Sequence, residues 1–351
     1  MAHPISTSGA CHPDSPQDPG PVRALEPLPD TPLSWREVPV GHPLDPAPAG
    51  TGCDAHLDPY VGCADGCLFC SARSFSAEGD QASGLGAWDL GAWDLGAWDL
   101  GAKLGLPLAL APALPQEHGR RLRLGGRCEP FPRLEASLGL TRACLRVLAG
   151  RRASSPVALE VCTRSEGVLE DLDLLLAIGA SVTVGLPTCA RPLAVSLEPH
   201  APTVPERLDL VARLSGAGLS VGVDLHPILP GLGDDRRSLR RVVCAAASAG
   251  ATYLRGSLVR VRDDARRSLL EWVGEAAPEQ TSRYRRLYGG RGSRRCQRNA
   301  ELEVAERVSC TLAALRRDYR LAAEPPWPAR RELEPLPRRR APRQFDLFEA
   351  A

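Results

Sequence analysis

Along the middle of the chain, short runs of apolar and β-branched residues alternate with longer stretches of helical period. Six short runs read as strands: Ala55 to Tyr60, Arg121 to Leu124, Val157 to Cys162, Ser181 to Leu186, Leu219 to Leu225 and Ala251 to Leu254. Between them, Leu134 to Leu148, Glu166 to Ile178, Pro205 to Ala217 and Arg237 to Ala249 repeat apolar residues at helical spacing, as at Leu208, Val211 and Leu214. Parallel strands need right-handed helical crossovers, so the alternation predicts an α/β fold, a partial (β/α)6 TIM-like barrel over residues 51–262 with accessory C-terminal helices. In such barrels the chemistry gathers at the C-terminal ends of the strands.

The flanks break this rhythm. Residues 1–50 are rich in proline, glycine and aspartate and predict a mostly irregular arm, with Trp35 as its one late anchor. GAWDL occurs three times without interruption from Gly86 to Leu100; a five-residue period suits neither helix nor strand, so 84–102 reads as a repeat expanded within a tolerant surface loop. Residues 263–325 read as a helical extension, with helices at Asp264 to Trp272 and Glu301 to Leu315, and 326–351 as a flexible tail.

Composition narrows the possibilities. A 351-residue chain that is 43% hydrophobic can bury a sizeable core, and a net charge of +1 gives no overall attraction to nucleic acid or membranes. Lys103 is the only lysine, so the arginine content follows a compositional bias rather than a function. The longest nearly apolar stretches, Leu104 to Pro115 and Val243 to Leu254, are shorter than the roughly 18 residues a membrane span needs. The opening residues lack the charged and apolar regions of a signal peptide, which predicts a cytoplasmic protein. Twelve cysteines in that setting predict thiols or metal ligands rather than a disulfide framework.

Only one cysteine group is tightly spaced. LDPYVGCADGCLFCSAR, residues 57–73, sets Cys63, Cys67 and Cys70 directly after the first predicted strand, with Gly62 and Gly66 to bend the loop. Three thiolates can hold three irons of a 4Fe-4S cubane and leave the fourth open to a chelating cosubstrate such as S-adenosylmethionine (SAM). The same thiols joined by Cys53 or His56 would suit a structural zinc ion.

The spacing, with Phe69 before the last cysteine, resembles the radical SAM superfamily, and PYVGCADGCLFCSAR more narrowly resembles its spore photoproduct lyase-like, or "DNA repair photolyase", branch. Similarity continues through GGRCEPFPRLE (125–135), VCTRS (161–165), SLEPHAPTVPERL (196–208) and LYGGRGSRRCQ (287–297). The resemblance implies an enzyme that reductively cleaves SAM at a 4Fe-4S cluster to a 5′-deoxyadenosyl radical, with ferredoxin or flavodoxin as reductant. It assigns Cys63, Cys67 and Cys70 to the cluster, Phe69 to the cofactor pocket, Gly125, Gly126 and Glu129 to the SAM amino group, and Thr163 and Arg164 to its carboxylate. Phe69 and Ser71 stand where relatives carry tyrosines and Gly185 where they carry a small hydroxyl residue, which argues against thymine-dimer reversal. Cys128 lies near the position of a radical-quenching cysteine, but a buried structural thiol is its plainer reading. Asp224 and His226, at the end of the fifth predicted strand, are candidates to face a substrate.

Two features bear on partners. From Thr281 to Arg298 there are seven arginines and no acid, interleaved with Tyr284 and Tyr288, a pattern that could serve phosphate contact and base stacking, although a solvated arginine-rich surface is the plainer reading. Near the C-terminus, Gln344, Asp346, Leu347 and Phe348 resemble a pentapeptide that docks bacterial proteins on the DNA sliding clamp. An alternative function is therefore a non-catalytic DNA-associated module with a structural zinc or iron-sulfur site, tethered to the clamp.

Overall fold

The structure, a computed structural model, describes residues 35–48, 50–70, 100–260, 263–289 and 294–327. The GAWDL repeat before Leu100, Ser71, and the clamp-like Gln344, Asp346, Leu347 and Phe348 lie outside the described residues. In chain order the elements are β1 (Trp35–Glu37), β2 (Asp45–Pro46), β3 (Ala55–Leu57), β4 (Tyr60–Val61), β5 (Leu100–Ala102), α1 (Leu106–Ala113), β6 (Arg121–Leu124), α2 (Glu135–Leu138), α3 (Leu140–Arg151), β7 (Ala158–Thr163), α4 (Leu172–Ile178) and β8 (Ser181–Gly185). They continue as α5 (Arg191–Leu197), α6 (Val204–Gly216), β9 (Ser220–Ile228), α7 (Arg236–Ser248), β10 (Tyr253–Leu258), α8 (Asp263–Ala276), α9 (Thr281–Tyr288) and α10 (Arg294–Tyr319).

One seven-stranded sheet runs β10-β9-β8-β7-β6-β3-β2, parallel except for the antiparallel β2–β3 pair. The fold is thus α/β, and among the described residues the sheet is open: β10 and β2 are its two edges, and no pairing joins them. A small second sheet, β1-β5-β4, draws in part of the expected irregular arm and the end of the expected surface loop. Leu100 and Ala102 are fully buried there because both flanking strands cover them. The first expected strand is divided because Pro59, which has no N–H, separates β3 from β4. Gly139, at φ +58°, similarly divides the helix expected from Leu134 to Leu148.

Register reveals two unlike faces. Leu57, Leu124, Val161, Val182, Val184, Val221 and Val223 lie on one face and form the main core with the helices. The opposite face carries His56, Arg123, Glu160, Cys162, Thr183, Asp224 and Arg255. Glu160 on β7, wholly buried, accepts from Arg123 Nε at 2.9 Å, Thr183 Oγ1 at 2.6 Å and Arg255 Nη1 at 2.5 Å. Arg255 is on β10, three strand spacings away, or about 14 Å in a flat sheet, so the ion pair closes only because the sheet curls toward its polar face.

The β10 edge is covered. Ala322 pairs with Thr252 and Leu254 beside β10 through N···O contacts of 3.0 and 2.9 Å, and Trp327 lies under the Arg121 guanidinium, 5.4 Å from its ring centroid. The segment from Leu321 to Trp327 thus spans the amino ends of the strands from β10 to β6. In the C-terminal extension, Val308, Leu312 and Leu315 of α10 join the main core, whereas Leu269, Trp272 and Val273 of α8 form a second cluster with Tyr284, Leu287 and Tyr288 of α9 and Leu193 and Leu197 of α5. Among the described residues no helix is long and apolar enough to cross a membrane.

Gly222 tests the polar face. A Cβ there would meet the Tyr253 ring at 2.1 Å, and the Tyr253 hydroxyl is held by Thr183 Oγ1 (2.7 Å) and donates to Val182 O (3.0 Å), so the ring has nowhere to go. Gly222→Ala should cost about 1–3 kcal/mol by overpacking, read as a lower urea midpoint. Gly216→Ala on α6, with nothing within 4 Å, should leave the midpoint equal or higher.

Candidate active site

The cysteine loop leaves the sheet at the carboxyl end of β3 and turns through two left-handed glycines, Gly62 (φ +80°) and Gly66 (φ +68°). Cys63, Cys67 and Cys70 are all free thiols, with Cys67 buried and the other two half-buried. Asp65 N donates to Cys63 Sγ at 3.5 Å, and Cys70 N donates to Cys67 O at 3.2 Å. Burial pushes the Cys63 and Cys67 thiols well above their ordinary range, with nearby negative charge as a smaller contribution. Phe69 packs with Leu68 on the cluster formed by α5, α8 and α9, and its ring meets His226 edge-on at 6.2 Å. The C-terminal helices therefore help to set the loop.

Facing the loop are residues from the carboxyl ends of β6 and β7. Gly125, at φ +80°, passes so close to Cys162 O that a Cβ would stand 2.4 Å away, and at Gly126 a Cβ would meet the His56 ring at 2.6 Å. Both positions admit glycine alone. Glu129 is a buried hub that accepts from Thr163 Oγ1 at 2.5 Å, Phe131 N at 3.1 Å and Arg164 N at 2.9 Å. A carboxylate has about four acceptor sites, so roughly one is left for another donor. Burial, aided by the charge of Asp65, raises Glu129 to about 7 despite those three donors.

The Arg164 side chain does not turn to Glu129. Its Nε donates to Glu198 Oε1 at 2.8 Å, and Glu198 also accepts from the buried Arg207 at 2.5 Å. Gly185 makes this possible, since a Cβ there would meet the Arg164 guanidinium at 3.0 Å. Sequence reasoning missed Glu198 and Arg207. A carboxylate and an arginine nine residues apart in SLEPHAPTVPER give no periodic signal; their burial follows only once the 196–202 segment folds against the cysteine loop.

Other expected residues separate. Cys53 precedes β3 while the cysteine triplet follows it, and His56 is mid-strand with both ring nitrogens buried and without a hydrogen-bond partner. Burial, with Arg123 and Arg127 nearby, lowers His56 to about 4. Cys128 packs beside Tyr60 and Leu140, with its Sγ 3.6 Å from Asp58 Oδ1, as a half-buried structural thiol would. Among the described residues no group of three or more His, Cys, Asp or Glu side chains stands close enough to hold a single metal ion. Nine described cysteines are free, while Cys244 is disulfide-bonded. His226 Nδ1 lies 2.9 Å from Ser257 Oγ, and Asp224 accepts from Arg255 Nε at 3.1 Å; all four sit at the carboxyl end of the polar face. Tyr284 and Tyr288 are core residues, 5.7 Å apart between ring centroids, so they are not available to stack on bases.

No family model matches the chain. An uncharacterized protein of Mycobacterium tuberculosis and one of Mycobacterium bovis are each 28% identical to it over 239 residues, which is 65% of this chain and 65% of theirs. The chain thus matches just under two thirds of the length of these relatives. Among solved structures, spore photoproduct lyase complexed with dinucleoside spore photoproduct is similar with a TM-score of 0.49 at 15% identity, over 70% of this chain and 77% of that one. A cysteine-to-serine mutant of spore photoproduct lyase matches with a TM-score of 0.49 at 16% identity, over 67% and 64%. Streptococcus suis SuiB bound to S-adenosylmethionine matches with a TM-score of 0.35 at 12% identity, over 65% and 44%.

The raised Glu129 carboxyl gives a pH signature. Below pH 4.5 folded and unfolded chains both hold its proton; above 7 the folded protein carries a buried carboxylate that water would solvate better. Stability from this group is therefore lost as pH rises from 4.5 through 7, by up to about 3 kcal/mol. Glu129→Gln should flatten that part of the Tm-against-pH curve relative to wild type; parallel curves would contradict the assignment.

Proposed function

We propose that this chain is a radical SAM enzyme: Cys63, Cys67 and Cys70 hold a 4Fe-4S cluster, and SAM binds between that cluster and the carboxyl ends of β6 and β7. The observation that carries the reading is the donor set. Three free thiols lie on one glycine-bent loop, opposite Gly125, Gly126, Glu129 and Arg164. A cubane offers each thiolate its own iron, so three sulfurs bind three of its irons and leave the fourth open. When bound, a reduced cluster supplies the electron that divides SAM into methionine and a 5′-deoxyadenosyl radical.

The protein's own residues do the positioning. Glu129 keeps about one acceptor site for the SAM ammonium, and Gly126 exposes backbone beside it. Arg164, one of two arginines on the single carboxylate of Glu198, supplies a cation for the SAM carboxylate. Phe69 and the second cluster seal the loop from one side, which limits water near a reactive radical. Asp224, His226 and Ser257 are partly accessible where the polar face opens, and they form the wall on which a substrate is held. A ferredoxin or flavodoxin is the proposed reductant. The lack of a phenolic hydrogen at Phe69 and Ser71 supports a reaction other than dimer reversal. Nothing favours the zinc-module alternative over this reading: Cys53 and His56 do not join the triplet, and Tyr284 and Tyr288 are buried.

Anaerobic reconstitution with iron and sulfide, followed by dithionite and SAM, should release 5′-deoxyadenosine. Alanine at Cys63, Cys67 or Cys70 should reduce that yield by at least 100-fold. A colourless, zinc-loaded protein that releases none would contradict the proposal.

A further inference from the structure

The cysteine loop is docked at three points onto the segment Leu197 to His200. Leu68 N donates to Leu197 O at 2.9 Å, and His200 N donates to Asp65 O at 3.2 Å. At Gly66 a Cβ would meet His200 at 3.0 Å and Pro199 at 3.2 Å, so the two chains touch with no room between them. At the centre of this contact is Glu198, only 2% exposed. Its Oε2 accepts from Arg207 Nη1 at 2.5 Å, its Oε1 accepts from Arg164 Nε at 2.8 Å, and the same Oε1 lies 4.0 Å from Cys67 Sγ. Arg207, also 2% exposed, is tied further to Pro202 O at 2.6 Å and Gly185 O at 3.0 Å.

Burying the Arg207–Glu198 pair, with the partly exposed Arg164 as a third charge, is costly, and apolar residues of similar volume would often be as stable or more so. A second use is therefore the better explanation. Glu198, the middle of the Arg207–Glu198–Arg164 chain, lies against the Cys67 thiol, and charges around metal-bound sulfur tune the metal when held at fixed distance. On the reading of Cys67 as a cluster ligand, we infer that Glu198 is a positioning residue: it locks Arg164 beside the cysteine loop, and with Arg207 it sets the electrostatic field that fixes the cluster's reduction potential. Glu198 contributes negative charge, which opposes electron entry; Arg207 contributes positive charge, which favours it.

The test is a potentiometric titration, followed by electron paramagnetic resonance, of the anaerobically reconstituted full-length protein without SAM. Glu198→Gln is nearly isosteric and should raise the midpoint potential, whereas Arg207→Gln should lower it. Each shift should approach tenfold in the reduced-to-oxidised ratio at fixed potential, which is 59 mV for one electron. Glu198→Asp keeps the charge and should return most of the wild-type value, with iron content equal in all proteins that fold. Opposite signs in the two variants are the signature of charge, because a merely structural loss moves both in the same direction. Wild-type potentials in both variants, or shifts of one sign, would overturn the inference while leaving the cluster reading intact. A wild-type protein that shows no cubane signal would overturn both.

Discussion

Glu160 is wholly buried in the sheet and held by arginines from β6 and β10. Removing a carboxylate from water costs several kcal/mol unless it is closely paired, and the nearest strand neighbours do not supply both cations. Arg255 must reach across β8 and β9 to do so, which forces the sheet to curl and brings the carboxyl ends of β6, β7, β9 and β10 around one space. The apolar face, packed on helices, then becomes the outside of the curve, and the polar face becomes a lined interior. Asp224, His226 and Ser257 lie together because β9 and β10 are adjacent and in register.

The cysteine loop is held over the carboxyl end of this interior by two different forces. Leu68 and Phe69 are fixed by apolar burial against α5, α8 and α9, and the loop backbone is hydrogen-bonded to the 196–202 segment. The helices after β10 thus act on the site through packing. The strap from Leu321 to Trp327 covers the amino ends and protects the open β10 edge, so the interior is approached from the cysteine side.

Much of this was legible in the residues. The six strand runs were readable because burial on a parallel sheet leaves short apolar runs, whereas the helix expected from Glu166 begins as an α-helix only at Leu172. The cysteine triplet was readable from spacing alone. What was not readable is three-dimensional: that Arg36 and Ala102 belong to one small sheet depends on pairing across more than sixty residues. The charged lining was in plain view, as Glu160 in ALEVCT, Asp224 in GVDLH and Arg255 in YLRGS, but a lone charge within a strand reads as an exception until register aligns three of them on one face. Tyr284 and Tyr288 show the opposite limit, because aromatics among arginines leave a nucleic-acid surface open as a reading until the helix is seen to turn its rings inward.

The central claim is that three thiols on one loop leave an iron open to SAM. Mössbauer spectroscopy of protein reconstituted anaerobically with 57Fe tests it most directly. The account predicts four irons per chain in a cubane, one of which changes its isomer shift and quadrupole splitting when SAM is added. A spectrum in which SAM alters none of the four would contradict it.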